Sequence, residues 1–199
     1  MDAARSFTYM FKEPGGIGKL VIGGVLLFIP VLGWAVVGGY MLRTLRGVAG
    51  GDDRLPDWSG FGDLFGKGLL AWVGALVYDI PGLILGRLGP GGSMLGSLWS
   101  LLVLVVLPAA LIRYAVTEEF GAFFDFRALI EFIQANLNNY IMAVVLAMAA
   151  GIVASFGVVL VIVGVVFTVF WAILVGAHLY GSVYRNRVEA PAAAGPGRL

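Results

Sequence analysis

The chain has 199 residues, of which 60% are hydrophobic and only 13% are charged, and its mean hydropathy is +0.95. Soluble domains usually carry about 25% charged residues, so this composition excludes an ordinary soluble fold and indicates an all-α integral membrane protein. A net charge of +1 predicts no nucleic-acid partner, and one histidine without any cysteine leads us to expect no disulfide, no metal site and no cofactor.

The N-terminus does not have the pattern of a cleavable signal peptide. Charged residues are mixed into the first 16 positions, and the apolar run that follows is longer than the 7–15 residues of a signal peptide's apolar core. We therefore expect the N-terminus to be retained and residues 1–187 to form a single polytopic membrane domain.

Residues 17–42 form the first apolar segment, with Pro30 and Gly33 near its middle. A single helix of this length would span about 39 Å, which is long for one crossing and short for two. If the segment doubles back, every lysine and arginine except Arg87 lies on one side of the membrane, as expected for cytoplasmic loops. We predict a helical hairpin broken at Pro30 and enclosed by the other helices, and a single tilted, kinked helix is the alternative.

Four transmembrane helices are predicted after the hairpin. A bilayer core about 30 Å thick needs about 20 apolar residues in a helix. No charged residue lies between Glu131 and Arg185, and this run is long enough for two helices with a turn at Ser155-Phe156-Gly157. The predicted helices are residues 67–86, 93–114, 140–155 and 158–181.

Two loops and the tail have patterns of their own. Aromatic residues in "LPDWSGFGDLFGKG" are typical of the level of the lipid headgroups. Apolar residues recur with helical periodicity over residues 124–138. This pattern predicts an amphipathic helix lying flat on the cytoplasmic surface, and a partner-binding helix is the alternative. Residues 188–199 are rich in Ala, Pro and Gly, and we expect a disordered tail.

Three stretches resemble a known family: "FKEPGGIGKLVIGGVLLFIPVLGWAVVGGYMLRTLRGVAGGDDRLPDWSGFGDLFGKGL", "ALVYDIPGLIL" and "AHLYGSVYR". The chain resembles, as far as about Arg187, the prokaryotic membrane proteins of domain-of-unknown-function family 4013. The resemblance implies a small multi-pass protein of the cytoplasmic (inner) membrane. It implies no activity, and no catalytic residue can be transferred from it.

Asp79, next to Tyr78, is the main candidate for a functional polar residue. It falls near the middle of predicted helix 67–86, where a charge costs about 2.5–3.5 kcal/mol. Pro81 frees a backbone carbonyl one turn earlier, so Tyr78 and Asp79 could bind a cation or relay a proton. The alternative is a structural hydrogen bond to a neighbouring helix.

Arg113, His178 and Arg185 fall near the predicted cytoplasmic ends of their helices. Interfacial anchoring explains these positions, because long basic side chains reach toward the headgroups. A binding site for a lipid headgroup is the second interpretation of the three residues.

Small residues recur every four positions at Ala143, Ala147, Gly151 and Ser155. Such a stripe is typical of close helix packing in membranes, and it carries no chemistry. Gly82/Gly86 and Gly92/Gly96 are shorter examples, and the pattern does not tell whether the packed helix belongs to this chain or to another.

No nucleophile, zinc-protease or phosphate-loop motif occurs in the sequence, so we expect no enzyme activity. The first functional hypothesis is a scaffold, assembly factor or accessory subunit that packs against membrane proteins or lipids. The second is a small transporter or channel with a proton or cation linked to Asp79, because broken helices line transport sites. The paucity of buried polar groups favours the first.

Overall fold

The computed structural model describes residues 3–155 and 162–193, with the side chains of residues 6–155 and 168–185. Within these ranges every regular element is helical, which confirms the all-α class. The elements are α1 (Ala3–Lys12), α2 (Gly16–Leu27), α3 (Leu32–Ala49), α4 (Phe61–Gly86), α5 (Gly89–Thr117), a 3₁₀ helix (Phe120–Phe124), α6 (Phe126–Ala135), α7 (Leu137–Ser155) and α8 (Ile162–Ala193).

Three helices in the described part of the chain are long and apolar enough to cross a membrane, namely α4, α5 and α7. They correspond to predicted helices 67–86, 93–114 and 140–155, and each begins three to six residues earlier than predicted. The fourth predicted helix, 158–181, lies partly outside the described residues, as does most of the Ser155-Phe156-Gly157 turn. Residues 162–181 belong to α8.

The first apolar segment is divided into α2 and α3 by a tight turn at Pro30 and Val31. Val31 has φ 65° and ψ −63°, and the Leu32 N–H bonds the Pro30 carbonyl at 2.7 Å, which is the geometry of a γ-turn. A Cβ on Gly33 would lie 1.8 Å from the Leu26 carbonyl oxygen, so only glycine fits where the chain reverses. The Trp34 indole donates to the Leu27 carbonyl across the turn at 2.9 Å.

Helix α3 lies at the centre of the bundle. It packs against α2, α4, α5 and α8, and eleven of its 18 residues are buried. Helix α8 shares this central position, because besides α3 it contacts α1, α2, α5 and α7. The other long helices lie around this pair and turn large apolar side chains outward, for example Leu76 on α4, Leu101 on α5 and Val145 on α7.

Glycines set the closest helix contacts. A Cβ on Gly39 of α3 would lie 1.9 Å from the Leu64 carbonyl oxygen, and a Cβ on Gly68 of α4 would lie 1.8 Å from the Ala35 carbonyl oxygen. The backbones of α3 and α4 therefore touch. Between α4 and α5, a Cβ on Gly96 would lie 3.1 Å from the Gly82 carbonyl oxygen, so these glycines pack within this chain.

Two sequence boundaries differ from the structure. The predicted helix 124–138 is interrupted, because the 3₁₀ helix reaches Phe124, α6 ends at Ala135 and α7 begins at Leu137. The side-chain amide of Asn136 donates to the Phe132 carbonyl, and this bond competes with the backbone hydrogen bond that would continue the helix. Helix α8 continues to Ala193, where a disordered tail was expected from residue 188.

Gly68→Ala is expected to lower the free energy of unfolding by about 1–3 kcal/mol, because the new methyl group would push α3 and α4 apart. Gly66→Ala on the same helix is the matched control, since its Cβ would meet nothing within 4 Å. Denaturant unfolding of both variants in one detergent measures the difference. Equal stabilities would contradict the backbone contact between the two helices.

Candidate functional site

Polar side chains gather at one end of the bundle, where the base of the α2–α3 hairpin, the start of α4 and the end of α5 meet. Glu13 is the central acceptor of the first group. Its carboxylate accepts hydrogen bonds from the Lys19 ammonium at 2.9 Å and from the Leu55 backbone N–H at 2.6 Å. Lys19 also donates to the Leu55 carbonyl at 2.7 Å and pairs with Asp57 at 3.1 Å.

The segment 55–58, with the sequence LPDW, completes this arrangement, which we call the LPDW clasp (Glu13, Lys19 and residues 55–58). The Trp58 indole donates to the Lys19 carbonyl at 3.0 Å, and its ring stacks on Tyr40 with centroids 3.9 Å apart. The Tyr40 hydroxyl donates to the Pro56 carbonyl at 2.8 Å. The clasp therefore ties the chain entering α2 to the chain leaving α3, and both lie at the same end of the bundle.

A second polar group consists of alternating charges on α3, α4 and the end of α5. Arg43 pairs with Asp63 at 3.1 Å, and Lys67 pairs with both Asp63 at 3.1 Å and Glu118 at 2.6 Å. Arg46 also contacts Glu118. The hydrogen bond from Lys67 lowers the pKa of the Glu118 carboxyl, with a further contribution from Arg46, so Glu118 remains an anion at neutral pH.

A third group places a hydroxyl, an imidazole and a carboxylate in a row. The Ser6 oxygen lies 2.9 Å from Nδ1 of His178, and Nε2 of His178 lies 3.5 Å from Asp53. Asp53 also accepts from Arg185 at 2.9 Å, and the Tyr9 ring packs on the imidazole. The order resembles a nucleophile, a base and an orienting acid, but Ser6 is fully buried, so no substrate reaches it in this arrangement.

The predicted headgroup set is divided in the structure. His178 and Arg185 meet at Asp53, whereas Arg113 pairs with Asp125 at 3.2 Å. No described contact links the two groups. His178 is 2% exposed, because its side chain projects from α8 onto Ser6 and Tyr9 of α1 instead of reaching toward headgroups.

Tyr78 and Asp79 point to different sides of α4. The Tyr78 ring is buried, its hydroxyl donates to the Phe123 carbonyl, and its own carbonyl accepts from the Trp99 indole at 2.7 Å. Asp79 is exposed on the outer surface, and its carboxylate has no hydrogen-bond or ion-pair partner among the described residues. The two residues therefore do not form one site.

Asp79 lies instead in a shallow groove of about 380 Å³ between α4 and α5. The groove includes Ser93, Ser97 and Ser100 of α5, and each hydroxyl donates to the carbonyl three or four residues earlier. Because the serine donors are engaged within their own helix, none of them neutralises the carboxylate.

The predicted α7 stripe is buried at Ala143, half-buried at Ala147 and exposed at Gly151 and Ser155. A four-residue step turns a helix by about 400°, so the stripe drifts around α7 by about 40° at every step. The side chains that α7 buries are Tyr140, Ala143, Val144, Ala150 and Ala154.

Sequence reasoning missed Ser6, Asp53 and Trp99. Asp53 follows Asp52 in the loop before α4, and no local sequence pattern distinguishes the two. In the structure Asp52 bonds only exposed Arg54, which lowers the pKa of the Asp52 carboxyl, whereas Asp53 turns inward to His178 and Arg185. Such long-range pairing is invisible in sequence spacing.

Asp53→Asn is expected to lower the free energy of unfolding by about 1–3 kcal/mol, because Arg185 loses its carboxylate at a half-buried position. Asp52→Asn, one residue earlier, should leave stability nearly unchanged, because its only described partner is an exposed arginine. Denaturant titration at pH 7 compares the two variants. A similar loss in both would contradict the structural role of Asp53.

Comparison with known proteins gives one family assignment. No curated protein and no solved structure matches the chain. The family model described as "Protein of unknown function (DUF4013)" matches residues 22–163, which include the hairpin turn, residues 55–58 and all three candidate membrane-spanning helices. The chain therefore belongs to the DUF4013 family.

Proposed function

We propose that this protein is a non-catalytic integral membrane protein that serves as a scaffold, assembly factor or accessory subunit, and that a helix of another membrane protein packs beside Asp79. The observation that carries the proposal is an exposed carboxylate without a described partner, placed on the surface of an apolar helix.

A wide apolar surface surrounds this carboxylate. Exposed large side chains include Leu76, Ile80 and Leu83 on α4 and Leu98 and Leu101 on α5. Surfaces of this kind face lipid or another apolar helix, because water would not solvate them. This surface therefore fits two partners, the lipid bilayer and a second membrane protein.

The energetic cost of Asp79 favours a protein partner over lipid alone. A charge within a membrane helix costs about 2.5–3.5 kcal/mol by insertion measurements, and such residues usually pair with other polar groups. The glycines and serines that line the groove allow a second helix to approach closely and to bring a donor to the carboxylate.

The transporter alternative has less support from the geometry. A proton or cation path would require Asp79 to face the bundle interior or a lined cavity, with further polar groups at the same depth. Asp79 faces outward, and Tyr78, its predicted companion, is engaged with Phe123 on the inner side of α4.

We further propose insertion in the prokaryotic cytoplasmic (inner) membrane with both termini in the cytoplasm. The clasp places the base of the hairpin, including Lys19, at the same end as Arg43, Arg46 and Lys67. Basic residues collect on the cytoplasmic side of membrane proteins, which assigns this end to the cytoplasm.

The orientation predicts opposite labelling at two exposed arginines. Arg54→Cys, next to the LPDW clasp, should react with a membrane-impermeant maleimide only from the cytoplasmic side. Arg87→Cys, after α4, should react only from the other side. The chain has no native cysteine, so each variant carries a single thiol. Labelling of both thiols from the same side would contradict the proposed topology.

The partner proposal predicts an Asp79-dependent cross-link in membranes of the native host. A photoreactive amino acid at Ser97 should give a discrete adduct with another protein, and Asp79→Leu should reduce its yield at least tenfold. Ile80→Leu is the matched control on the same helix, and a photoreactive residue at Met142 on the outer face of α7 reports non-specific contacts. Adducts independent of Asp79, or an adduct of twice the chain's mass, would contradict a distinct partner.

A further inference from the structure

An apolar cavity of about 590 Å³ lies between α4, α5 and the 3₁₀–α6 segment. Its walls are Val77, Tyr78 and Pro81 on one side and Trp99, Leu102 and Val106 on another, and α6 closes the end nearest the polar groups. The volume falls within the range of about 300–1,000 Å³ that is typical of small-molecule sites.

The side-chain polar atoms of Tyr78 and Trp99 in this wall are already satisfied. The Trp99 indole donates to the Tyr78 carbonyl at 2.7 Å, and the Tyr78 hydroxyl donates to the Phe123 carbonyl. Pro81 has no N–H, so the Val77 carbonyl lacks its helical donor, but Pro81 adds no donor to the wall. The cavity therefore offers a surface that is almost entirely hydrocarbon, with no free side-chain donor among its lining residues.

Helix α6 leaves part of its apolar face uncovered at this cavity. Leu129 is buried, whereas Phe126 and Ile130 on the same face remain 55% and 52% exposed. Leu102 on α5 is 48% exposed, so the cavity opens on the surface that faces lipid. Filling the cavity gives these side chains dispersion contacts that they lack where it is empty, which favours an apolar occupant.

The Arg113 guanidinium does not line the cavity, but it bonds a residue next to its wall. Arg113 follows Val106 by seven residues, which places it two turns further along the same face of α5. Its Nη2 bonds Asp125 at 3.2 Å, and Asp125 lies between the cavity residues Phe124 and Phe126. Nε of Arg113 is buried without an acceptor among the described residues, but Nη1 has no bond to them either, and the side chain is 27% exposed, so the guanidinium keeps a donor for a further group.

We infer that this cavity binds one acyl chain of a phospholipid from the cytoplasmic leaflet, and that Arg113 holds the lipid phosphate. This inference rests on the proposed membrane orientation and not on a partner at Asp79. From Arg113 to Leu102 is about 16 Å along α5. Half of a hydrocarbon core about 30 Å thick is about 15 Å, so a chain anchored at Arg113 ends near Leu102.

The chemistry of the site favours a lipid chain over an apolar protein helix, because a basic group lies close to an apolar cavity, and a phospholipid joins a phosphate to an apolar chain. Arginine also suits the phosphate, because its planar guanidinium presents paired N–H donors that match two phosphate oxygens.

The test uses the full chain in nanodiscs with two photoreactive probes that share a diazirine on the acyl chain: phosphatidylglycerol, which carries a phosphate, and diacylglycerol, which does not. The phosphatidylglycerol probe is expected to label the cavity walls on α4, α5 and α6 at least fivefold more than the diacylglycerol probe. Equal labelling by both probes, or labelling spread evenly over the outer faces of α4 and α7, would overturn the inference.

Matched variants separate the two contacts. Leu102→Trp should fill the cavity and reduce labelling at least fivefold, while Leu101→Trp, on the outer face, should not. Arg113→Gln should lower phosphatidylglycerol labelling to the diacylglycerol level, while Arg127→Gln on the exposed face of α6 should not. Ile130→Trp fills the cavity from α6 and replaces Leu102→Trp if that variant does not fold.

The inference would be overturned if Leu102→Trp and Leu101→Trp changed lipid labelling equally, or if Arg113→Gln and Arg127→Gln did. The Asp79→Leu variant should retain its lipid labelling, so failure of the lipid site and failure of the partner site give different results.

Discussion

The LPDW clasp is the contact on which the arrangement of the bundle depends. The two helices of the hairpin satisfy their own backbone hydrogen bonds in an apolar medium, so what the hairpin needs is a fixed base that holds α2 and α3 side by side. Glu13 and Lys19 supply the base by binding the backbone of Leu55, and Trp58 seals it against Tyr40. With this base fixed, α3 enters the centre of the bundle, where α4 and α8 cover it.

The clasp also explains why the charged residues share one end. Once α2 and α3 begin and end together, Arg43 and Arg46 at the end of α3 face the start of α4 and the end of α5. There Asp63, Lys67 and Glu118 supply the opposite charges. Each exposed pair contributes little to stability by itself. Their collective effect is to give the protein one polar end and one largely apolar body, as a membrane orientation requires.

The helical class, the turn at Pro30 and the approximate spans were readable from the sequence, because proline, glycine and apolar length act locally. The partners of individual polar residues were not. The position of His178 in the chain predicted a place at the membrane interface. In the structure it is buried against Ser6 of α1, near Asp53 in the loop before α4. Asp79 lies eleven residues after Gly68, on nearly the same face of α4, but α3 begins at Leu32, about one turn from the contact of Ala35 with Gly68, so it does not extend far enough to cover Asp79.

Two kinds of opening follow from this packing. Where glycines bring α4 and α5 together, the surface is shallow and lined with small polar residues, which suits another helix. Where Tyr78, Trp99 and Pro81 line the same two helices, a deeper apolar cavity remains beneath α6. Near this second opening the Arg113 guanidinium pairs with Asp125. The two openings therefore differ in depth and in the charge beside them, which is why we propose a protein helix for the first and a lipid chain for the second.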